Sequence, residues 1–134
     1  MDYHYQQLAA IEPNPELSPE QVIKIQLEGL QNNDLTENNL GIRICFNFAS
    51  PGNKIITGPI ENFIKLVKNP AYRPLIGFER AEFSRVTVKG RSAQQAVRVI
   101  HTNGESAVYA FVLSKQDEPP YRDCWMTDAV IQQG

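Results

Sequence analysis

The chain has 134 residues and a formal net charge of −2, from 13 lysines and arginines against 15 aspartates and glutamates. This length suits one domain with a sizeable core, and the scattered basic residues argue against nucleic-acid binding, which needs a concentrated positive surface. No apolar run approaches the roughly 20 residues that span a bilayer, and the N-terminus lacks the basic-then-apolar order of a signal peptide. We therefore expect no membrane interaction and a cytoplasmic location.

The two cysteines, Cys45 and Cys124, lie far apart, and no histidine is near either in sequence. Zinc sites need four ligands at short paired spacings, and disulfide scaffolds need denser cysteine. We predict two reduced, partly buried thiols and no metal site. The segments around Gly52 and Gly58 lack the glycine spacing of a phosphate-binding loop, so no cofactor is predicted.

Residues 1–17 are predicted to be a flexible N-terminal arm, and residues 18–134 a single domain. The arm has no sustained apolar period, and Pro13 and Pro15 interrupt the bonding of both helix and sheet. A short helical piece is expected around residues 6–11. The arm could dock on the domain or on a partner.

The first predicted helix begins at Ser18, a good N-cap residue. Pro19 suits the first helical position, and Gln21 completes a capping box three residues after the cap. The helix should end at Asn32-Asn33-Asp34. Gln26 interrupts its apolar stripe, so the buried amide either bonds the backbone of a neighbouring loop or points into a pocket and fixes a ligand's polar group.

Two further helices are predicted before the sheet. The second has Asp34 or Thr36 as its cap and stops before Pro51, which restricts the residue preceding it. The third opens with Pro59 at its start and closes before Pro70. The apolar stripes of the three helices consist of Val22, Ile23, Leu27 and Leu30, then Leu40, Ile44 and Phe48, then Ile60, Phe63, Ile64 and Val67.

From Phe78 onward the apolar period falls from 3.6 to 2, which predicts antiparallel strands. The expected fold class is therefore α+β, with three N-terminal helices packed on a curved antiparallel sheet of about four strands. The strands are predicted at residues 78–88, 93–101, 106–115 and 122–132.

The dipeptide Asn103-Gly104 predicts a two-residue hairpin turn with positive φ at both positions. In that register the residue numbers of each opposed pair sum to 207, so Val99 lies opposite Val108. Both valines then lie on one valine-rich side of the sheet, which we assign to the core. The opposite face carries large apolar side chains around an arginine, which is typical of a contact surface. We expect a homodimer whose sheet-to-sheet interface contains Arg98, Tyr109 and Phe111. The alternative is that this face lines the core and the valines face a partner.

Several apolar and turn-like segments between residues 18 and 132 carry a family resemblance. They are residues 22–27, Asn33-Asp34, residues 46–51, Phe63, Val67, Tyr72, Pro74, Leu75 and Asp123-Cys124-Trp125-Met126. With three helices preceding a twisted sheet, they resemble the nuclear transport factor 2-like superfamily, the cystatin-like cone that includes SnoaL-like proteins. The closer likeness is to a branch from bacteria, cyanobacteria and plastids that is known as a domain of unknown function.

The resemblance implies a cone whose concave sheet and helices enclose a pocket. In enzymatic relatives such as ketosteroid isomerase and scytalone dehydratase, aspartate, histidine and tyrosine perform acid–base chemistry there, and no matching constellation is found in this sequence. We therefore expect a non-catalytic binding or assembly module that holds a small apolar ligand or a protein partner. The alternative is a cofactor-independent SnoaL-like isomerase, dehydratase or hydrolase using Tyr72, His101 and Asp128.

Each polar candidate also has an ordinary structural interpretation. His101 lies near the hairpin turn, where a solvated histidine is favoured over a general base, and Asp128 is more often solvated or paired with arginine than turned into a pocket. Trp125 is most simply a core anchor with a secondary role in binding. The predicted ligand pocket contains Gln26, Tyr72 and Trp125, with Tyr72 at its mouth.

Overall fold

The computed structural model describes residues 11–133, so the helical piece expected around residues 6–11 lies outside them except for Ile11. Ile11 and Leu17 are partly buried and pack against the hydrophobic core. The amide of Leu17 also donates to the carbonyl of Asn14 over 3.2 Å. The described part of the predicted arm thus contacts the domain, while its flexibility stays a prediction.

Within the described residues, four α-helices precede the sheet. They are α1 (Pro19–Gln31), α2 (Leu40–Phe48), α3 (Pro51–Thr57) and α4 (Ile60–Val67), with short 3-10 turns at Asn33–Leu35 and Arg73–Leu75. The start of α1 confirms the predicted capping box. Ser18 Oγ accepts from the amide of Gln21 over 3.1 Å, and Gln21 Oε1 accepts from the amide of Ser18 over 2.8 Å.

The predicted cap of α2 was wrong, because Asn39 holds that position in a left-handed conformation, with φ of 56°. Asp34 lies instead in the 3-10 turn, and the hydroxyl of Thr36 donates to the carbonyl of Asn33 over 2.6 Å. Asn33 itself is buried, and its Oδ1 accepts from the amide of Ile42 over 3.0 Å. A side chain of the preceding turn therefore satisfies a free amide in the first turn of α2.

Helix α3 was not predicted. Ser50 is its N-cap and accepts from the amide of Asn53 over 3.2 Å, Pro51 takes the first helical position, and Gly58 ends the helix with φ of 79°. A serine N-cap followed by proline at the first helical position is a common start of a helix. No residue of α3 is buried, so the helix has no apolar stripe by which its period could be recognised.

Helices α1 and α2 cross with two glycines at their contact. A Cβ atom added to Gly41 would overlap the carbonyl oxygen of Gly29, and one added to Gly29 would lie 3.0 Å from the carbonyl oxygen of Gly41. The two backbones approach this closely only because neither residue has a side chain.

In the described part of the chain the sheet has five antiparallel strands, β1 (Arg80–Phe83), β2 (Thr87–Lys89), β3 (Ser92–Ile100), β4 (Ser106–Lys115) and β5 (Trp125–Gln133). Both β1 and β2 pair with β3, followed in order by β4 and β5. The first predicted strand is therefore two strands, with a break at Ser84, whose hydroxyl accepts from the amide of Ala96 over 2.9 Å. The predicted α+β class, with N-terminal helices on a curved antiparallel sheet, is confirmed.

The predicted hairpin register was wrong by one residue. Val97 is opposite Tyr109 and Val99 is opposite Ala107. The loop has three residues, 102–104, because His101 pairs with Glu105 through a 2.8 Å hydrogen bond from the His101 amide to the Glu105 carbonyl. Of the two residues Asn103 and Gly104, only Gly104 has positive φ, 89°, as in a turn followed by a glycine bulge.

This register changes the assignment of the two faces. Val97 and Val99 lie in the core as expected, but Tyr109 and Phe111 lie on the same face, with exposures of 0% and 1%. The prediction that these two aromatic residues occupy an exposed face was therefore wrong. Arg98 does lie on the opposite, solvent-facing side, with its Nε 3.8 Å from Glu82 Oε1.

Candidate functional site

A cavity of about 320 Å³ lies between the helices and the core face of the sheet. All four helices contribute to its wall, together with β4, β5 and the segment that follows α4. The wall is mainly apolar, as expected for a small-molecule site. Its buried apolar residues are Leu30, Cys45, Ala49, Phe63, Val67, Leu75 and Phe111.

Three apolar residues of the wall also reach solvent and mark the mouth of the cavity. Ile56 of α3 is 84% exposed, Ile131 of β5 is 50% exposed, and Leu66 of α4 is 36% exposed. Ile55, the neighbour of Ile56, is also 84% exposed but does not line the cavity. Ile55 and Ile56 are thus equally exposed, and only Ile56 lines the cavity.

Two amide side chains of the wall are fixed by bonds to one residue of β5. Gln26 is 3% exposed, and its Nε2 donates to Thr127 Oγ1 over 2.8 Å and to the Val22 carbonyl over 3.3 Å. Asn53 Nδ2 donates to the Thr127 carbonyl over 3.1 Å. Gln26 lines the cavity, and its amide bonds its own helix and a strand side chain, so the expected bond to the backbone of a neighbouring loop is not seen.

Asp128 reaches the cavity wall through an irregularity in β5. Val112 is opposite Ala129 and Leu113 is opposite Thr127, which leaves Asp128 as the extra residue of a β-bulge. Asp128 is half-buried, and within residues 11–133 its carboxylate has no hydrogen bond or ion pair. Among the described residues that line the cavity, it is the one with a charged side chain.

Tyr72 lines the cavity, but its hydroxyl already donates to the Val130 carbonyl over 3.0 Å. Its ring stacks on that of Tyr109, with 6.2 Å between centroids. The hydroxyl of Tyr109 donates to the Ala71 carbonyl over 2.7 Å. Burial, with a smaller contribution from the neighbouring Tyr72, raises the pKa of Tyr109 to about 12.

Cys45 lines the cavity and Lys54 does not, and neither offers the cavity a reactive group. Lys54 Nζ lies 5.0 Å from the ring centroid of Phe46 and 5.6 Å from that of Tyr121, and burial lowers its pKa. The Cys45 thiol donates to the Gln26 carbonyl over 3.4 Å, and burial raises its pKa strongly, which suppresses the reactive thiolate. Cys45 and Cys124 are both free and buried.

The other predicted site residues lie elsewhere. His101 Nε2 is 2.8 Å from the Pro74 carbonyl, to which it must donate because a carbonyl oxygen only accepts, and His101 is not part of the cavity wall. Trp125 is buried in the core and does not line the cavity either. The structure therefore brings together Gln26, Tyr72 and Asp128.

Sequence reasoning did not identify Asn53 and Thr57 of α3 as wall residues. The hydroxyl oxygen of Thr57 is buried, and no hydrogen-bond partner for it is present in the described part of the chain. The available signal was the Ser50-Pro51 pair, which marks the start of the helix that carries both residues.

Within residues 11–133, no group of three or more histidine, cysteine, aspartate and glutamate side chains is arranged to hold a metal ion. Over the same residues, no helix has the length and apolar character needed to cross a membrane.

As far as residues 11–133 show, the fold and the cavity define an α+β domain in which a largely apolar cavity with one carboxylate lies between four helices and a curved antiparallel sheet. Over residues 14–132 the chain matches the family model described as a domain of unknown function, DUF4864, and it belongs to that family. Neither a curated protein nor a solved structure matches the chain.

Proposed function

We propose that the protein is a non-catalytic binding module whose small, largely apolar ligand occupies the cavity between the helices and the sheet. The observation that carries this proposal is the cavity itself, whose volume is about 320 Å³ and whose wall includes buried core residues such as Phe63 and Phe111. Binding pockets for small molecules range from about 300 to 1,000 Å³. The ligand is therefore compact.

The lining supports binding over catalysis. Two of the wall's polar side chains, Gln26 and Tyr72, are held by hydrogen bonds to the protein, which fixes them as parts of the wall. His101 lies outside the cavity, so the histidine of the acid–base alternative is missing from the site. A rigid apolar space with a few fixed polar groups favours orientation of a ligand.

A neutral apolar dye, N-phenyl-1-naphthylamine, tests this function by its fluorescence. We expect saturable binding at one site per chain. Ile56→Trp narrows the mouth and should weaken binding, whereas Ile55→Trp, at an equally exposed neighbour outside the cavity, should leave it unchanged. Absence of saturable binding to the wild-type chain, or equal losses in both variants, would contradict the proposal.

A second candidate function is supported by Asp128. A carboxylate in an apolar cavity, without a partner in residues 11–133, is suited to removing a proton from a bound substrate, as a cofactor-independent isomerase, dehydratase or hydrolase would require. Deuterium uptake from solvent next to the carbonyl of small cyclic ketones, followed by NMR, tests this. It should be absent in Asp128→Asn if Asp128 is the base.

We also propose that the family is a branch of the nuclear transport factor 2-like superfamily, because helices followed by a curved sheet over a cavity are compatible with that cone. Free, buried cysteines support a reducing, cytoplasmic location.

A homodimer through the outer face of the sheet is supported by Arg98 with the half-buried Val108 and Val112. Light scattering tests it, and a wild-type monomer, or a dimer that persists in Val108→Glu, would contradict it.

A further inference from the structure

We propose that the cavity binds an organic amine, a compact apolar molecule whose protonated nitrogen is held by Asp128. This inference rests on the proposed function of the cavity as a ligand site. Among the described wall residues Asp128 carries the only charge, and it is negative. A charge beside a low-dielectric space is costly unless it is paired, so a ligand that brings a cation gains more there than a neutral one.

The described part of the chain supplies no cation of its own to Asp128. Its ion pairs join other residues, and Asp128 takes part in none of them. Lys54, on the helix that carries Asn53 and Ile56, has its ammonium over the rings of Phe46 and Tyr121. The carboxylate is therefore open to a cation from outside.

Several polar groups of the described wall are left as hydrogen-bond acceptors, beside the Thr57 hydroxyl, which can donate or accept. Both N–H groups of the Gln26 amide are used, on Thr127 and Val22, so its Oε1 is left, without a partner in residues 11–133. Asn53 Nδ2 likewise donates to the Thr127 carbonyl, and the Tyr72 hydroxyl donates to the Val130 carbonyl. An ammonium group has three donors and no acceptor, which complements such a wall.

Three aromatic rings of the wall add to this preference. Phe63, Tyr72 and Phe111 all line the cavity, and ring faces attract cations through their quadrupole. A carboxylate ligand would meet Asp128 and these same electron-rich faces without a compensating cation. The negative charge of Asp128 thus favours amine ligands and disfavours acids, while the apolar wall favours a ligand with a hydrocarbon body.

Three molecules with the same apolar body separate these chemistries: phenethylamine, 2-phenylethanol and 3-phenylpropionate. Their affinities for the full chain are measured by calorimetry at neutral pH, together with those of the cyclohexyl analogues. We expect the amines to bind roughly tenfold or more tightly than the alcohols, and the acids most weakly, because hydrogen bonds to charged groups are the stronger ones.

Two variants with matched controls locate the preference. Asp128→Asn should reduce the amine affinity roughly tenfold or more while leaving the alcohol affinity unchanged, and Asp34→Asn removes the same charge outside the cavity and should change neither. Ile56→Lys should weaken amine binding at the mouth, whereas Ile55→Lys should not. Folding of each variant is checked by amide NMR spectra. If Asp128→Asn does not fold, the comparison of Ile56→Lys with Ile55→Lys still tests the proposal.

Alcohols or acids that bind as tightly as the amines would overturn the amine assignment and leave the ligand-binding function intact. The same holds if amine binding survives both Asp128→Asn and Ile56→Lys. If none of the molecules binds and the neutral dye does not bind either, both the amine assignment and the proposed function fail.

Discussion

Gln26 and Thr127 are 101 positions apart in the chain, yet the amide of one donates to the hydroxyl of the other over 2.8 Å in the buried wall of the cavity. This bond joins the first helix to the last strand. Because both groups are buried, replacing either one leaves the other without this hydrogen-bond partner.

A double-mutant cycle measures this connection. Gln26→Leu and Thr127→Val should each lower the free energy of unfolding by about 1–3 kcal/mol, since each leaves a buried polar group unsatisfied. The double variant should lose less than the sum of the two, by about 0.5 kcal/mol or more. Urea unfolding followed by circular dichroism checks this, and strictly additive losses would show that the bond contributes nothing.

The glycine contact between α1 and α2 predicts a large difference between two similar substitutions. Gly41→Ala places a methyl group against the Gly29 carbonyl and should destabilise the protein by about 1–3 kcal/mol. Gly52→Ala in α3 meets nothing within 4 Å and should be neutral or stabilising by up to about 1 kcal/mol, since alanine favours helix. Thermal unfolding of both variants is the measurement, and equal effects would contradict the close crossing.

The raised pKa of Tyr109 predicts that the protein loses stability in alkaline solution. Its pKa is raised to about 12 in the folded protein from an ordinary value of about 10, so the unfolded chain loses the proton first as pH rises. Between these values the folded state is progressively disfavoured, by roughly 2 kcal/mol at pH 12, whereas below pH 10 the effect is absent.

Tyr109→Phe isolates this contribution. At pH 8 the variant should be less stable by about 1 kcal/mol, because it loses the hydrogen bond to the Ala71 carbonyl. As pH rises towards 12 its disadvantage should shrink and then reverse. Urea unfolding at a series of pH values checks this, and a constant difference between the two proteins would refute the assignment.

The hairpin loop can be tested through the two residues of its Asn-Gly pair. Gly104→Ala should cost about 1 kcal/mol or more, because the position has φ of 89°. Asn103→Gly should also destabilise, by roughly 0.5–1 kcal/mol, since Asn103 Oδ1 accepts from the Glu105 amide over 2.9 Å. In a two-residue turn Asn103 would itself have positive φ, which glycine adopts readily, so the second change would cost little and urea unfolding distinguishes the loops.

Local signals predicted most of the helices and strands, although not α3. Ser18 with Gln21 marked the start of α1, and the change of period at Phe78 marked the start of the sheet. Register was harder, because Asn-Gly fits both a two-residue turn and a three-residue loop with glycine at its last position, and a shift of one residue exchanges the faces. Tyr109 and Phe111 were therefore placed on the wrong side.

The site was predictable only in part. Gln26 was noticeable as a polar residue within an apolar stripe, and Tyr72 as an aromatic residue between two prolines. Asp128 was one candidate among several, since the bulge that brings it to the wall depends on pairing between β4 and β5 and has no signature of its own in the sequence. Asn53 and Thr57 were missed because α3 buries none of its residues.

The bulge at Asp128 has a consequence for how β5 tolerates substitution. Thr127, before the extra residue, shares the core face with its partner Leu113, whereas after it Val130 shares that face with Phe111. Substitutions at Thr127 and at Val130 should therefore both disturb the core face, although these residues are three positions apart and an unbroken strand would place them on opposite faces. A deletion at 128 would restore one unbroken alternation while Val130 stays opposite Phe111, so the second half of the strand would keep its inward and outward side chains.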